Sequence, residues 1–506
     1  MSLAVSVSRA FFWNHANKVV GFFLDFVLSI VLARGLGTHV YGVYSEIINV
    51  TVFFSLICSL GLDTALNVFI PKYRDNHAEL SALIKKTLVA FALIAVLVCL
   101  SIYFFGQFIS DVINSPEIKN HLIFVSSYIF FYTFVIIAQS ILLSMFDTKF
   151  LFYANTLYKL FIILASFLLI RYGLNIREIF IAFILLSVLV SIAYLINFQR
   201  FIQAKTAIID AYNYFKFGII ILFTKFLNYV LGRYFDIFLL GYFSVEKEQI
   251  GFYNIAFSNI LALSFMFTSG FTGIALSAFS DLAIKKNYSG VSKGWITLTK
   301  ISIFFCLPIF LFVLINAKAI LALAYSNAFV GSTILLQVFG SLFLVSILLG
   351  SGANSTVLYS LNKEKVVLTL RAIMGSVNIV LDIILIPHYE ALGAVIATGV
   401  STVLIILSEY IFLKREINLN YPRTFLIKMF GASLLAMGAI IFVPIAGLLG
   451  LMAKLVISSI VFMVIIYVLK PFSYEDYGIA EKVFGTNAKY LKPFIMHDAE
   501  DYHLGD

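Results

Sequence analysis

Two apolar stretches of the chain carry the same three residues at the same spacing: Asn17, Gly21 and Asp25 in one, and Asn228, Gly232 and Asp236 in the other, 211 residues further on. On a helix, at about 100° per residue, Asn14, Asn17, Lys18, Gly21 and Asp25 share one stripe. Lys225, Asn228, Tyr229, Gly232 and Asp236 share another, with Arg233 at its edge. The chemistry open to such stripes is recognition: amides and a phenol bond hydroxyls, cations attract an anion, and a carboxylate holds a proton or Na⁺. An ionisable group in a membrane span costs about 3 kcal/mol or more, and it usually faces a bundle interior or water. The stripes therefore predict polar walls that meet at a central cavity.

The substrate-binding candidates are Asn14, Asn17, Lys18, Lys225, Asn228, Tyr229 and Arg233. Asp25 and Asp236 are the candidates for coupling to H⁺ or Na⁺. Asn49, Asn254, Asn259 and Lys159 form a second rank, and Glu46 and Asp63 are ambiguous. Plainer readings compete with these. Arg233 and Asp236, three apart on a helix, can neutralise each other, and Gly21 and Gly232 suit close helix packing. Lys300, Arg371, Asp382 and Glu409 fall near helix ends, where reaching for lipid headgroups is the simpler expectation.

The elements that carry these residues follow from composition. The chain has 506 residues, 61% hydrophobic and 12% charged, with a mean hydropathy of +1.01, which leaves too little polar surface for a soluble globule. A spanning helix needs about 20 apolar residues. About fourteen such stretches are present, at 8–33, 41–70, 83–106, 118–146, 152–171, 178–199, 214–242, 250–280, 295–316, 329–360, 366–386, 390–413, 424–444 and 448–469. Continuous runs of this length exclude a transmembrane barrel, so the fold class is an all-α polytopic membrane protein. The polar residues in the first stretch argue against a cleavable signal peptide. Cys58, Cys99 and Cys306 lie within apolar segments and read as small buried hydrophobes.

The net charge of +9 is unevenly placed. One alternating set of loops carries roughly three times the Lys and Arg of the other, which holds Arg34, Lys119, Arg171, Arg177, Lys247 and Lys318. The positive-inside rule then puts both termini in the cytoplasm, and the charge reads as topology, with no nucleic-acid partner. The repeat continues past the polar triplets with a shift of 209, which aligns YGVY (Tyr41 to Tyr44) with IGFY (Ile250 to Tyr253) and Gly61 with Gly270. Six helices separate equivalent positions, so the copies point the same way and are related by a pseudo-two-fold along the membrane normal.

The expected organisation is an N-lobe at 1–200, a cytoplasmic linker at 201–213, a C-lobe at 214–413, two unrepeated helices at 414–470 and a cytoplasmic tail at 471–506. The tail ends in His497, Asp498, Glu500, Asp501, His503 and Asp506 and reads as solvated, with no metal site. No phosphate-binding loop, dinucleotide fingerprint or zinc-protease motif is found, and no loop is large enough for a catalytic domain. Catalytic residues and a resident cofactor are not expected.

At this point three segments show a resemblance: ARGLG (Ala33 to Gly37) followed by YGVY, SLGLDTAL (Ser59 to Leu66) and NIVLDIILIPHYEALGAVIAT (Asn378 to Thr398). They resemble the polysaccharide-type flippases of the multidrug, oligosaccharidyl-lipid and polysaccharide exporter (MOP) superfamily, over essentially the whole chain. The resemblance implies a two-lobed monomer in the bacterial cytoplasmic membrane, moving polyprenyl-pyrophosphate-linked glycan for surface polysaccharides such as O-antigen or capsule. Glycosyltransferases and a glycan polymerase are its implied partners, besides membrane lipids. Lys18, Lys225 and Arg233 are the kind of cation such relatives place in the cavity, and Asp25 departs from a purely basic lining. The alternatives are a lipid II flippase, a multidrug cation antiporter and a membrane glycan polymerase.

Overall fold

The computed structural model describes residues 3–73, 76–202, 207–209, 211–268, 272–441, 443, 447–473 and 476–478. They form helices α1 (Leu3–Ser59), α2 (Leu62–Tyr73), α3 (His77–Val112), α4 (Pro116–Lys119), α5 (Leu122–Ser144), α6 (Thr148–Arg171), α7 (Ile176–Ile202), α8 (Tyr212–Val230) and α9 (Arg233–Tyr242). These are followed by α10 (Lys247–Thr268), α11 (Thr272–Ile284), α12 (Tyr288–Ile315), α13 (Ala317–Tyr325), α14 (Ser332–Leu348), α15 (Ala353–Ser360), α16 (Glu364–Glu416), α17 (Arg423–Ile441) and α18 (Gly447–Leu469). The all-α class read from the sequence is observed. Without water, each backbone N–H and C=O must be satisfied internally, and a helix does so within one segment.

Two helices are far longer than a bilayer is thick. α1 has 57 residues and α16 has 53, about 80 Å each at 1.5 Å per residue, against a hydrocarbon core of about 30 Å. Both break. α1 bends at Gly37 (φ 77°, ψ 176°), a conformation that glycine adopts without penalty. α16 breaks at Glu390 (φ 51°), just after Pro387, whose ring removes a backbone donor.

Among the described residues, ten helical stretches are long and apolar enough to cross a membrane, or eleven if the bent pair α8 and α9 is one span. Two of the ten, Phe12–Tyr73 and Glu364–Glu416, each contain two of the segments read from the sequence, and α10 with α11 covers the one at 250–280. The two merged stretches, the bent pair and the α10–α11 segment, of which residues 269–271 lie outside the described ones, account for the difference from fourteen. Large apolar side chains such as Phe104, Phe108, Leu435 and Leu449 remain exposed, as suits a multi-pass membrane protein facing lipid.

The chain divides into two compact units: Met1–Ser258 with Ile379–Ala394, and Asn259–Asn378 with Val395–Asp506. The first takes in α8, α9 and part of α10 alongside the helices of the first repeat. Its connecting segment is pinned to α3 where it is described: Ala207 N–H donates to the Ala78 carbonyl (3.2 Å) and Lys86 Nζ to the Ile209 carbonyl (2.8 Å). Residues 203–206 and 210 of the expected linker, and Gly270 of the repeat, lie outside the described residues.

In the second unit, Trp295 is buried with Phe279, Val291, Val357, Val367 and Leu413. Its indole N–H donates to Asn354 Oδ1 (2.8 Å), and the Asn354 amide donates to the carbonyls of Leu349 (3.0 Å) and Ile406 (3.2 Å). A buried polar group is tolerated because it is satisfied.

The ionisable residues expected at headgroups are a correction. Asp382 and Glu409 are buried, Arg371 Nε lies 3.5 Å from Glu409, and Lys300 pairs with Asp476 at 2.7 Å. Reaching the membrane surface needs a long stem such as Lys or Arg possesses; the short acids lack it, and the two cations have acids within reach. Cys58 and Cys306 are buried free thiols, as read from the sequence.

Candidate substrate-binding site

The first polar stripe is engaged by α6. Asn155 Nδ2 donates to Asn17 Oδ1 (2.9 Å) and its own carbonyl accepts from Gln139 (3.3 Å). Lys159 Nζ donates to the Gly21 carbonyl (3.0 Å) and to Asp25 (2.6 Å). A Cβ at Gly21 would lie 3.4 Å from Lys159 Nζ and 3.5 Å from Asn155 Nδ2. Gly21 thus lies where α6 packs closely on α1, and its carbonyl accepts from Lys159. Asn14 is half-buried and Lys18 is exposed.

The second stripe is not on one helix, which corrects the sequence reading. α8 ends at Val230, α9 begins at Arg233, and the two are bent by 60° with Gly232 at the break. Lys225 forms an ion pair with Asp63 at the start of α2, and Tyr229 OH donates to Asn49 Oδ1 at 2.7 Å. Asn228 is exposed. Residues from the second repeat therefore bond residues from the first.

Past the break, Arg233 and Asp236 do not pair with each other. Arg233 donates to Ser258 Oγ (3.0 Å) and Tyr234 OH (3.0 Å), and its guanidinium lies 4.7 Å from the centre of the Tyr234 ring. Asp236 is buried in the first turn of α9, where a helix N-terminus favours negative charge, and it accepts from Tyr253 OH. Both thus turn toward α10, which supplies a closer partner to each. Asp382 of α16, in the same unit, is buried as well.

The second-rank candidates separate. Asn254 Nδ2 donates to Ser45 Oγ (2.9 Å), and Asn49 joins Tyr229, both in the first unit. Asn259 belongs to the second unit and donates to Tyr325 OH (3.2 Å). Asp63 reads as ambiguous and Asp382 as a residue near a helix end, although both are acids within apolar segments and within motifs that carry the resemblance, SLGLDTAL and NIVLDIILIPHYEALGAVIAT.

One seam joins the repeats closely. A Cβ at Gly42 would lie 1.8 Å from the Lys247 carbonyl oxygen, and one at Gly251 would lie 3.0 Å from that of Thr38. Under the 209-residue shift, Thr38 maps to Lys247 and Gly42 to Gly251, so the two contacts are equivalent. Beside them, buried Glu46 accepts from Lys247 Nζ (2.7 Å) and Ser115 Oγ (2.9 Å).

In charge terms, Lys159, Lys225 and Lys247 each have an acid partner, whereas the bonds of Arg233 go to neutral hydroxyls, with no acid paired to it among the described residues. A cation so placed is available to an anion. No group of three or more His, Cys, Asp or Glu suited to a metal ion occurs among the described residues. The acidic tail end read as solvated, His497 to Asp506, lies outside them.

Known structures share this polytopic all-helical fold. Lipid II flippase MurJ in an inward closed conformation is similar with a TM-score of 0.71 and 19% identity, over 92% of this chain and 98% of that one. An inward-facing multidrug resistance MATE family transporter of the MOP superfamily gives 0.59 and 13%, over 80% and 94%. A MOP superfamily transporter from Pyrococcus furiosus gives 0.54 and 14%, over 81% and 95%. The fold is thus similar to that of these MurJ and MATE structures. The chain belongs to the polysaccharide biosynthesis protein family, whose profile matches residues 31–334. No curated protein matches it.

Proposed function

We propose that the protein is a flippase that carries polyprenyl-pyrophosphate-linked oligosaccharide across the cytoplasmic membrane by alternating access, for cell-surface polysaccharide synthesis. The observation that carries this reading is Arg233, a cation bonded to Ser258 and Tyr234 with no acid paired to it among the described residues. Membership of the polysaccharide biosynthesis family supports it.

The physical obstacle is a sugar head group in about 30 Å of hydrocarbon, where each unpaired hydroxyl costs a few kcal/mol. Asn14, Asn17, Asn228 and Tyr229 would bond hydroxyls, Arg233 with Lys18 would attract the pyrophosphate, joined by Lys225 on its release from Asp63, and the prenyl chain would stay in lipid. With both termini in the cytoplasm, outward movement of an anion is favoured by an inside-negative potential, about 2.3 kcal/mol per charge per 100 mV. The buried acids Asp236 and Asp382 would bind H⁺ or Na⁺ as access alternates, with Asp25 as a second coupling group. The protein works as a monomer beside glycosyltransferases and a glycan polymerase.

Lipid II is the competing cargo, because the structural likeness to MurJ spans nearly the whole chain. A deletion strain separates the two. Accumulation of lipid-linked glycan on the cytoplasmic face with normal peptidoglycan supports the first cargo, and accumulation of lipid II with arrested wall growth supports the second.

A further inference from the structure

The two helices without a repeat counterpart, α17 and α18, are followed by a segment that turns back into the second unit. Lys428 Nζ of α17 donates to the carbonyl of Leu469 at the end of α18 (3.0 Å). Lys470 then takes a left-handed conformation (φ 39°) and reverses the chain. Phe472 is buried, its ring centre 5.5 Å from that of Phe304 on α12 and 5.2 Å from that of Phe425 on α17. Phe304 also meets Phe462 of α18 at 5.8 Å.

Beyond Phe472, Asp476 is buried and accepts from Lys300 Nζ (2.7 Å) and Thr297 Oγ1 (3.1 Å) of α12, and from the backbone N–H (2.8 Å) and Oγ (2.9 Å) of Ser473. A solvated tail needs none of this. A carboxylate leaves water without penalty only where its charge is paired and its lone pairs are occupied. α18 also keeps Leu448, Leu449, Met452, Val456 and Val464 exposed. In lipid an apolar face gives a helix no preference for a neighbour over the tails, so defined contacts must supply the attachment.

We propose that Phe472 and Asp476, which follow α18, act as a strap that fastens α17 and α18 to α12 so that the unrepeated helices move with the second unit. Its fastening role is independent of the cargo; its effect on transport rests on the flippase reading.

The test uses the full chain with Asp476→Asn, Lys300→Met and the double variant, together with chains ended after Gly478 or after Leu469. Melting in detergent and glycan transport are both measured. Each point variant is expected to lower the melting midpoint by about 5 °C or more, and the double variant no further than the worse single, since both remove one interaction. The chain ended at Gly478 should melt like the full chain, and the one ended at Leu469 should melt lower or fail to fold. Unchanged midpoints in the single variants, or additive losses in the double, would overturn the strap. If the shifts appear but the wild type moves no lipid-linked glycan, the flippase reading falls while the strap stands.

Discussion

Gly42 and Gly251 are reciprocal: each leaves its Cβ position to the backbone carbonyl of the residue four before the other, Lys247 for Gly42 and Thr38 for Gly251. The sequence repeat thus appears as a physical contact between its two copies. The contacts are equivalent in place but unequal in tightness, 1.8 Å against 3.0 Å for an added Cβ. A methyl cannot enter the first space without backbone movement. Gly42→Ala should therefore lower the melting midpoint in detergent clearly more than Gly251→Ala, by a difference of about 1 to 3 kcal/mol. Equal shifts would mean that the seam relaxes freely.

The three lysine-acid pairs should differ in worth because they differ in exposure. The side chain of Glu46 is 1% exposed, that of Asp63 is 10% and that of Asp25 is 59%. Removing one partner of a buried pair costs about 3–5 kcal/mol, whereas an exposed pair contributes about 1 kcal/mol or less. Glu46→Gln and Asp63→Asn should each destabilise strongly, and Asp25→Asn weakly. Thermal melting of the three variants side by side checks the order, and Asp25→Asn as the most damaging would contradict it.

Ion coupling is predicted at the buried acids. With Asp236→Asn and Asp382→Asn combined, transport in vesicles should lose its response to an imposed H⁺ or Na⁺ gradient at constant membrane potential. A response equal to that of the wild type would remove these residues from the coupling role.

Much of this arrangement was legible in the sequence because bilayer physics writes it there. Apolar runs set the helices, and the shared Asn, Gly and Asp spacing revealed the duplication. The partners were less legible. Helical geometry placed Asn17, Gly21 and Asp25 on one face of α1, but Lys159 and Asn155 reach that face from α6, which no local spacing encodes. The break at Gly232 escaped notice because the glycine lies in an otherwise continuous apolar run, and it divides a stripe that would be continuous on a straight helix. Burial of Asp382 is not legible for a related reason: distance from a helix end along the chain does not report burial across it.

The central claim, that Arg233 serves an anionic lipid-linked glycan, is tested most directly in proteoliposomes holding a fluorescent polyprenyl-pyrophosphate oligosaccharide, with transbilayer movement read by a membrane-impermeant quencher. The account predicts movement well above that of protein-free vesicles, reduced about tenfold by Arg233→Gln, as expected for loss of one charge-assisted contact, while the variant melts within a few degrees of the wild type. Movement no faster than in protein-free vesicles, or a wild-type rate in Arg233→Gln, would contradict it.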